Sequence, residues 1–370
     1  MTILSLALAC SAPHATSDDN GLSIQAAPEI QPSSGAFQTL SQGGQPGDIE
    51  TEIDTADPVE MEERDYGSDL CGEEGVAATI GERKYGWLQD ALDQYQPADE
   101  ALWVCPGVHE GSFQISANYE INIRGASGDS DDALIVSDGG STFNVFAWRG
   151  GKDASPARFV LADVTVVGGV AEKGGAIHVT AQEFVLDGVT VMDGQADFGG
   201  GVYVDGDTRA VVVQESSFLA NSATRGGAMF IGSPAESEAR VVSFDHSEIW
   251  SNVASEAGGA IYMDDGGMDA VFQHTNSMLN TAPEGGAYFF SGQEPTDYST
   301  VLISGGGITQ TATETGALAA GGVVAVMVED VDFGDGDSDN SVDVQGCAES
   351  FGAGASFFYS VQGGSLCEAN

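Results

Sequence analysis

Residues 221–231 read NSATRGGAMFI. A polar turn residue, four residues of no clear period, two glycines and an apolar run make an unusual phrase, and the chain repeats it. GGVAEKGGAIHV (168–179), GQADFGGGVYV (194–204), SNVASEAGGAIYM (251–263) and NTAPEGGAYFF (280–290) carry the same signature. The first glycines of the doublets, Gly174, Gly199, Gly226, Gly258 and Gly285, lie 25, 27, 32 and 27 residues apart. Self-similarity at such a period marks units that cannot bury an apolar face alone and must stack.

Working outward from the doublet, a turn residue stands five or six positions earlier: Gly169, Gly194, Asn221, Asn252 and Asn280. Three before that come Val166, Val191, Phe218, Ile249 and, against the pattern, Ser277. Ten and eight before the turn come Phe159/Leu161, Phe184/Leu186, Val211/Val213, Val242/Phe244 and Ala270/Phe272. Degenerate copies follow through Val301, Ile303, Ile308, Thr311 and Gly316, then Val326, Val328, Phe333 and Gly336. Each unit therefore predicts two short strands, a turn at Gly or Asn, a second turn at the doublet, and a third strand. Each strand would pair in parallel with its copy in the next unit. The bends need left-handed backbone, which Gly adopts freely and Asn best of the rest. Stacked Asn side chains would also hydrogen-bond along the ladder.

An apolar residue, two others, Asn, then Gly-Gly-Ala and an apolar strand resembles the repeats of the polymorphic outer-membrane proteins of chlamydiae. It is also similar to bacterial right-handed β-helix lipoproteins. This likeness covers roughly residues 155–345. Further upstream, KYGWLQDALDQY (84–95) places Trp87, Leu88, Ala91, Leu92 and Tyr95 at helical spacing. A short helix followed by WVCPG and INIRG resembles the opening of pectin-lyase-like domains, where the helix caps an otherwise open first coil. The fold these likenesses imply is all-β: a single-stranded right-handed parallel β-helix of about nine coils with a short N-terminal cap helix. Such a fold carries lyases, hydrolases, adhesins and spacers alike.

Composition agrees with a turn-dense β chain: 51 of 370 residues are Gly, and 42% are apolar. Eleven Lys and Arg stand against 57 Asp and Glu, a formal charge of −46. Such a field repels phosphate and excludes nucleic acid as a partner. It suits a soluble extracellular protein whose acid solvates the surface or, in part, holds Ca²⁺. The opening MTILSLALAC, residues 1–9 and the cysteine after them, reads as a secretory signal or the tail of a longer one. Ala7-Leu8-Ala9-Cys10 resembles a lipoprotein cleavage box, with Ala7 where leucine is usual; the alternative is a cleaved, unlipidated signal. Residues 10–68, rich in Ser, Pro, Gly, Gln and acid, read as a disordered acidic tether. Residues 69–110 would hold the cap helix and first coil, and residues 111–370 the β-helix.

Of five cysteines, Cys10 is left over if Cys71 pairs with Cys105 and Cys347 with Cys367. That is one of three possible pairings, and it would close a disulfide near each end. Disulfides fit an exported protein.

Enzymes of the resembled fold use clustered Asp with an Arg or Lys base, or paired Asp beside Gly-His-Gly and Arg-x-Lys. None of these strings occurs. The only lysines are Lys84, Lys152 and Lys173, and Arg209, Arg225 and Arg240 fall in loops or beside turns. Two stacked columns remain. Six before each turn stand Asp163, Gly188, Glu215, His246 and His274. Stacking would bring Glu215, His246 and His274 within about 4.8 Å in series, as an acid/base or metal group or as a solvated polar bend. After the doublets come His178, Tyr203, Phe230, Tyr262 and Phe289, flanked by branched aliphatics. With the aliphatics inside, this aromatic stripe faces out, as a platform for sugar rings or a partner surface. The alternatives are the reverse facing, or cover by the chain's own loops. In DFGDGDSDN (332–340), Asp335, Asp337 and Asp339 resemble half of a Ca²⁺ loop, without the terminal acid of an EF-hand. The alternative is a solvated turn. His14 and His109 carry no pattern.

The expectation is a non-catalytic β-helix lipoprotein at the bacterial surface or outside the cell, monomeric and held to the membrane only by its lipid. Its role would be adhesion, display or binding of a polysaccharide or another surface protein. No cofactor is expected beyond a structural Ca²⁺. The alternative is a polysaccharide lyase or glycoside hydrolase working on the outer groove.

Overall fold

The protein is described by a computed structural model over residues 71–147, 157–233, 240–264, 268–291, 299–313, 316–321, 324–334, 340 and 356–360. All of these belong to the compact unit Glu63–Asn370. The signal at residues 1–9, Cys10, the tether at 10–68, Asp335, Asp337, Asp339, Cys347 and Cys367 lie outside the described residues.

The chain is a parallel β-solenoid. One long sheet of 12 strands runs the length of the stack, and two sheets of eight strands form the second and third faces. Eight strands bound seven full steps, and the solenoid has about 7 turns, fewer than the nine that the repeats suggested. The difference lies at the C-terminal end. There Val324–Glu329 and Ser356–Ser360 extend the long sheet, while among the described residues the second face gains only the single parallel bridge from Gly307 to Asp332 and the third face gains no further strand.

The columns read from the sequence are the columns of the fold. Val166 pairs with Val191, then Phe218, Ile249, Ser277 and Ile308. Leu161, Leu186, Val213, Phe244, Phe272, Ile303 and Val328 form another file. These files fill one continuous interior. Phe159 stacks on Phe184 at 5.9 Å, and Phe244 on Phe272 at 4.9 Å. Each buried Phe contributes about 1.5–3 kcal/mol.

At the N-terminal end, helix α1 (Leu88–Gln94) buries Leu88 and Ala91. A short antiparallel hairpin, Ala78–Ile80 with Arg83–Tyr85, joins it in covering the first winding. Trp87, expected on the buried face, caps the helix start and is 53% exposed. Cys71 and Cys105 form a disulfide with Cα atoms 5.4 Å apart, as pairing in sequence order implied. No helix among the described residues is long and apolar enough to cross a membrane.

Two expectations are corrected locally. First, the left-handed residue at the Asn turn is the one before it. Ala220, Ser251 and Leu279 have φ of 55°, 58° and 56°, and Gln310, before Thr311 in the next copy, has 53°. The asparagines instead point inward and are fully buried. Asn252 Oδ1 accepts from both the backbone N–H and Nδ2 of Asn221, at 2.9 and 3.0 Å, and Asn280 Oδ1 does the same for Asn252. A buried turn must satisfy its backbone groups, and this ladder does so. Second, the segment between that turn and the doublet is itself a strand. Val170–Lys173, Gln195–Phe198, Ser222–Arg225 and Val253–Ala257 form a fourth, four-stranded sheet. Its residues lack an apolar alternation because none of them joins the main interior; Ala257 and Phe198 pack instead on a second, smaller aromatic cluster. The doublets divide two tasks. Gly226 takes φ 66°, while a Cβ on Gly227 would strike the Gly259 carbonyl oxygen of the next winding.

Candidate functional site

The fourth sheet ends where the doublet turns the chain into the third face. The last column before the doublet is Lys173, Phe198, Arg225 and Ala257, bridged on to Glu284. The column after it is His178, Tyr203, Phe230, Tyr262 and Phe289. A glycine doublet, followed by a third glycine after Phe198, lies between each pair, so the columns face one another across a sharp concave corner.

The aromatic column lies on the outer face, and the aliphatics on either side of it lie in the core. The rings form one stack. His178 meets Tyr203 edge-on at 5.2 Å; Tyr203, Phe230, Tyr262 and Phe289 then follow face to face at 5.4, 5.0 and 5.0 Å. Their faces are occupied by one another. Tyr203, Phe230 and Tyr262 are only 8%, 5% and 7% exposed.

What covers them is the opposite column, displaced by one winding. Lys173 Nζ lies 4.6 Å from the Tyr203 centroid. Phe198 meets Phe230 edge-on at 5.2 Å, and the Arg225 guanidinium lies 5.7 Å from the Tyr262 centroid. Burial pulls Lys173 down, but the Tyr203 hydroxyl and the nearby carboxylates outweigh it and hold the ammonium above its usual pKa. Arg225 is raised by its hydrogen bond to Glu256, with Nε donating to Oε2 at 2.7 Å.

The next position in this covering column is Ala257. A methyl group stands where the earlier windings carry a lysine, a phenylalanine and an arginine. The result is a cavity of about 380 Å³ over Tyr262 and the partly exposed Phe289, walled by Arg225, Glu256, Pro283 and Glu284. On the far side, Phe289 is paired with Ala319, so the ring stack ends there. The strand carrying Ala257 is bulged relative to its neighbour, which sets Ser255 and Glu256 at the rim. Arg225 was noted in the sequence only as lying in a loop or beside a turn, and Glu256, Ala257 and Glu284 were not singled out. The signal for Glu256 and Ala257 was the spacing: Gly258 stands six positions after Asn252, where Gly226 stands five after Asn221.

The polar column follows the C-terminal ends of the long sheet's strands, on a different face from the aromatic column. Asp163, Glu215, His246 and His274 each take left-handed backbone, with φ of 54°, 48°, 46° and 47°. Glu215 is exposed and one winding from His246. The His246 and His274 rings stack at 4.7 Å, inclined by 22°. Their Nδ1 atoms lie 2.8 and 3.7 Å from Asp245 Oδ1. The sequence pattern located both histidines but passed over Asp245.

Arg240, expected in a loop or beside a turn, opens the strand Arg240–Asp245 and is 1% exposed. Its guanidinium donates to the carbonyls of Gly232 and Gly206, tying two loops to the stack. Burial lowers its pKa to about 10, so it remains charged at neutral pH.

Within the described residues, the corner gathers the Tyr262 and Phe289 rings, the Arg225 guanidinium, the Ser255 side chain and the Glu256 and Glu284 carboxylates around one open space. Comparison with protein-family models, with curated proteins and with solved structures gives no match for this chain.

Proposed function

We propose that this protein is a non-catalytic, surface-displayed β-helix that binds a neutral or amino-sugar glycan in the corner at Ala257. The single observation that carries this reading is the interruption of the covering column, which leaves Phe289 beneath a cavity of about 380 Å³. That volume falls in the range of small-ligand sites, about 300–1,000 Å³. The exposed part of Phe289 would take the C–H face of a sugar, Arg225 would donate to its oxygens, and Glu256 and Glu284 would accept from its hydroxyls. A chain charge of −46 disfavours a polyuronate.

The wider setting belongs to the same proposal. The solenoid is taken as right-handed and pectin-lyase-like; parallel strand crossovers are right-handed in about 98% of cases, and the repeats resemble those of chlamydial surface proteins. Cys10, the acidic segment 10–68 and the acidic surface support a monomer tethered outside a bacterial cell by a lipid.

A second reading, hydrolysis or elimination in the same corner, is favoured by Glu256 and Glu284 lining one cavity. A glycan array with product analysis separates the two. Binding predicts retention of a neutral or amino-sugar glycan, unchanged, and a loss of about tenfold or more in both Phe289→Ala and Ala257→Leu. Released reducing ends or unsaturated sugars establish the enzyme instead. Equal retention by the parent and both variants would move the binding site away from this corner, and no retention by any of them leaves a passive spacer.

A further inference from the structure

We propose that Asp245, His246 and His274 form a binding site for a single transition-metal dication of the Zn²⁺ or Cu²⁺ class. The site is independent of the aromatic corner.

The fold builds the cluster from two windings in register. Asp245 pairs with Gln273 at the ends of adjacent strands. The following residues, His246 and His274, both take left-handed backbone and so throw their imidazoles outward in parallel, 4.7 Å apart. Histidine tolerates that conformation better than most residues but gains nothing in the core from it. Both rings are more than 60% exposed, at 62% and 63%, so apolar burial does not explain the pair.

The donor atoms converge. One ligand atom from each of Asp245, His246 and His274 lies within 4.8 Å of the other two. Metal–nitrogen and metal–oxygen bonds of about 2.0–2.2 Å at tetrahedral angles place ligand atoms roughly 3.3–3.6 Å apart. The two Nδ1–Oδ1 separations, 2.8 and 3.7 Å, bracket that edge. The two rings stack with their planes inclined by only 22°, so a shared metal requires their side chains to rotate until the two Nδ1 lone pairs meet. Two imidazoles and one carboxylate select borderline metals over Ca²⁺ and Mg²⁺, which prefer six or more oxygens.

The surroundings favour a cation and leave room for it. The next residue in the column after His274 is Gly305, which has no side chain. The preceding one is Glu215, and the whole chain carries −46. Three protein ligands facing solvent leave a fourth position for water or for a ligand from a partner.

The test uses the full chain, with excess Ca²⁺ present to occupy non-specific carboxylates. Calorimetric titration with ZnCl₂ should give one site per chain. His246→Asn and His274→Asn, which keep a residue tolerant of left-handed backbone, should each weaken it about tenfold or more; the double variant should lose it. Cu²⁺ bound to the parent should show coupling to two imidazole nitrogens by electron spin resonance, a readout that does not depend on any variant folding. Unchanged Zn²⁺ affinity in the double variant, or Cu²⁺ spectra without nitrogen coupling, overturns the proposal.

Discussion

Leu279 holds a left-handed backbone, φ 56°, with 47% of its surface exposed. A branched side chain there carries a conformational cost of about 1–2 kcal/mol that little burial offsets. Leu279→Asn should therefore stabilise the protein by about 0.5–1 kcal/mol, measured by chemical denaturation; a loss of stability would show that the leucine makes contacts worth more than the strain. Asn252 behaves in the opposite way. Its amide donates to the Phe218 carbonyl and to Asn280, and its oxygen receives two N–H groups of Asn221. Asn252→Ala leaves several buried groups without partners and should cost about 2–4 kcal/mol. His178 closes the ring stack with a buried Nε2 that meets no hydrogen-bond partner. Burial holds its pKa below the ordinary 6.5, with Lys173 adding to the effect. The unfolded chain thus takes up a proton first, and stability falls as pH drops below 6.5. His178→Phe should flatten the melting temperature between pH 7 and pH 5 and raise it at the acid end; an unchanged pH profile would remove His178 as its source.

At the scale of elements, departures from the repeat turn out to be coupled. Ser277 interrupts an apolar column, yet it is fully buried. It accepts from Asn280 Nδ2 at 2.9 Å and hydrogen-bonds the buried Tyr288 hydroxyl, whose pKa burial pushes up. The apolar column gives up a residue because the facing strand brings a phenol into the core. The cap offers a second case. Tyr95, just after α1, donates to the Asp99 carbonyl and receives the Asn122 N–H. Burial raises its pKa from 10.0 to about 12. The unfolded chain ionises first, so this contribution to stability is complete below pH 10 and is lost as pH rises to about 12. Tyr95→Phe should lower stability near neutrality by about 1 kcal/mol while reducing the alkaline slope in a thermal titration. A slope identical to the parent's would place the alkaline sensitivity elsewhere, with Tyr288 next in line.

For the whole molecule, a charge of −46 on 370 residues sets a self-repulsion that the stack must overcome. Added NaCl screens it, so the melting temperature should rise with salt; a fall would mean that attractive pairs such as Arg225–Glu256 outweigh the net repulsion. Parallel stacking, the phase of every column and the inward placing of the aliphatics were legible in the primary structure. They follow from local period and from the backbone freedom of glycine, and both survive in a linear reading. The polar strand of the fourth sheet was not legible, since it covers the aromatic column with a lysine, a phenylalanine and an arginine in turn and keeps no apolar period of its own. Nor was the use of Asn as an inward ladder, because that depends on which residue of the turn absorbs the left-handed angle. The corner at Ala257 and the meeting of Asp245 with two histidines were decided only by the tertiary structure. Each arises from residues one winding apart, and lateral neighbours at that distance depend on the handoff between adjacent coils rather than on anything within one repeat.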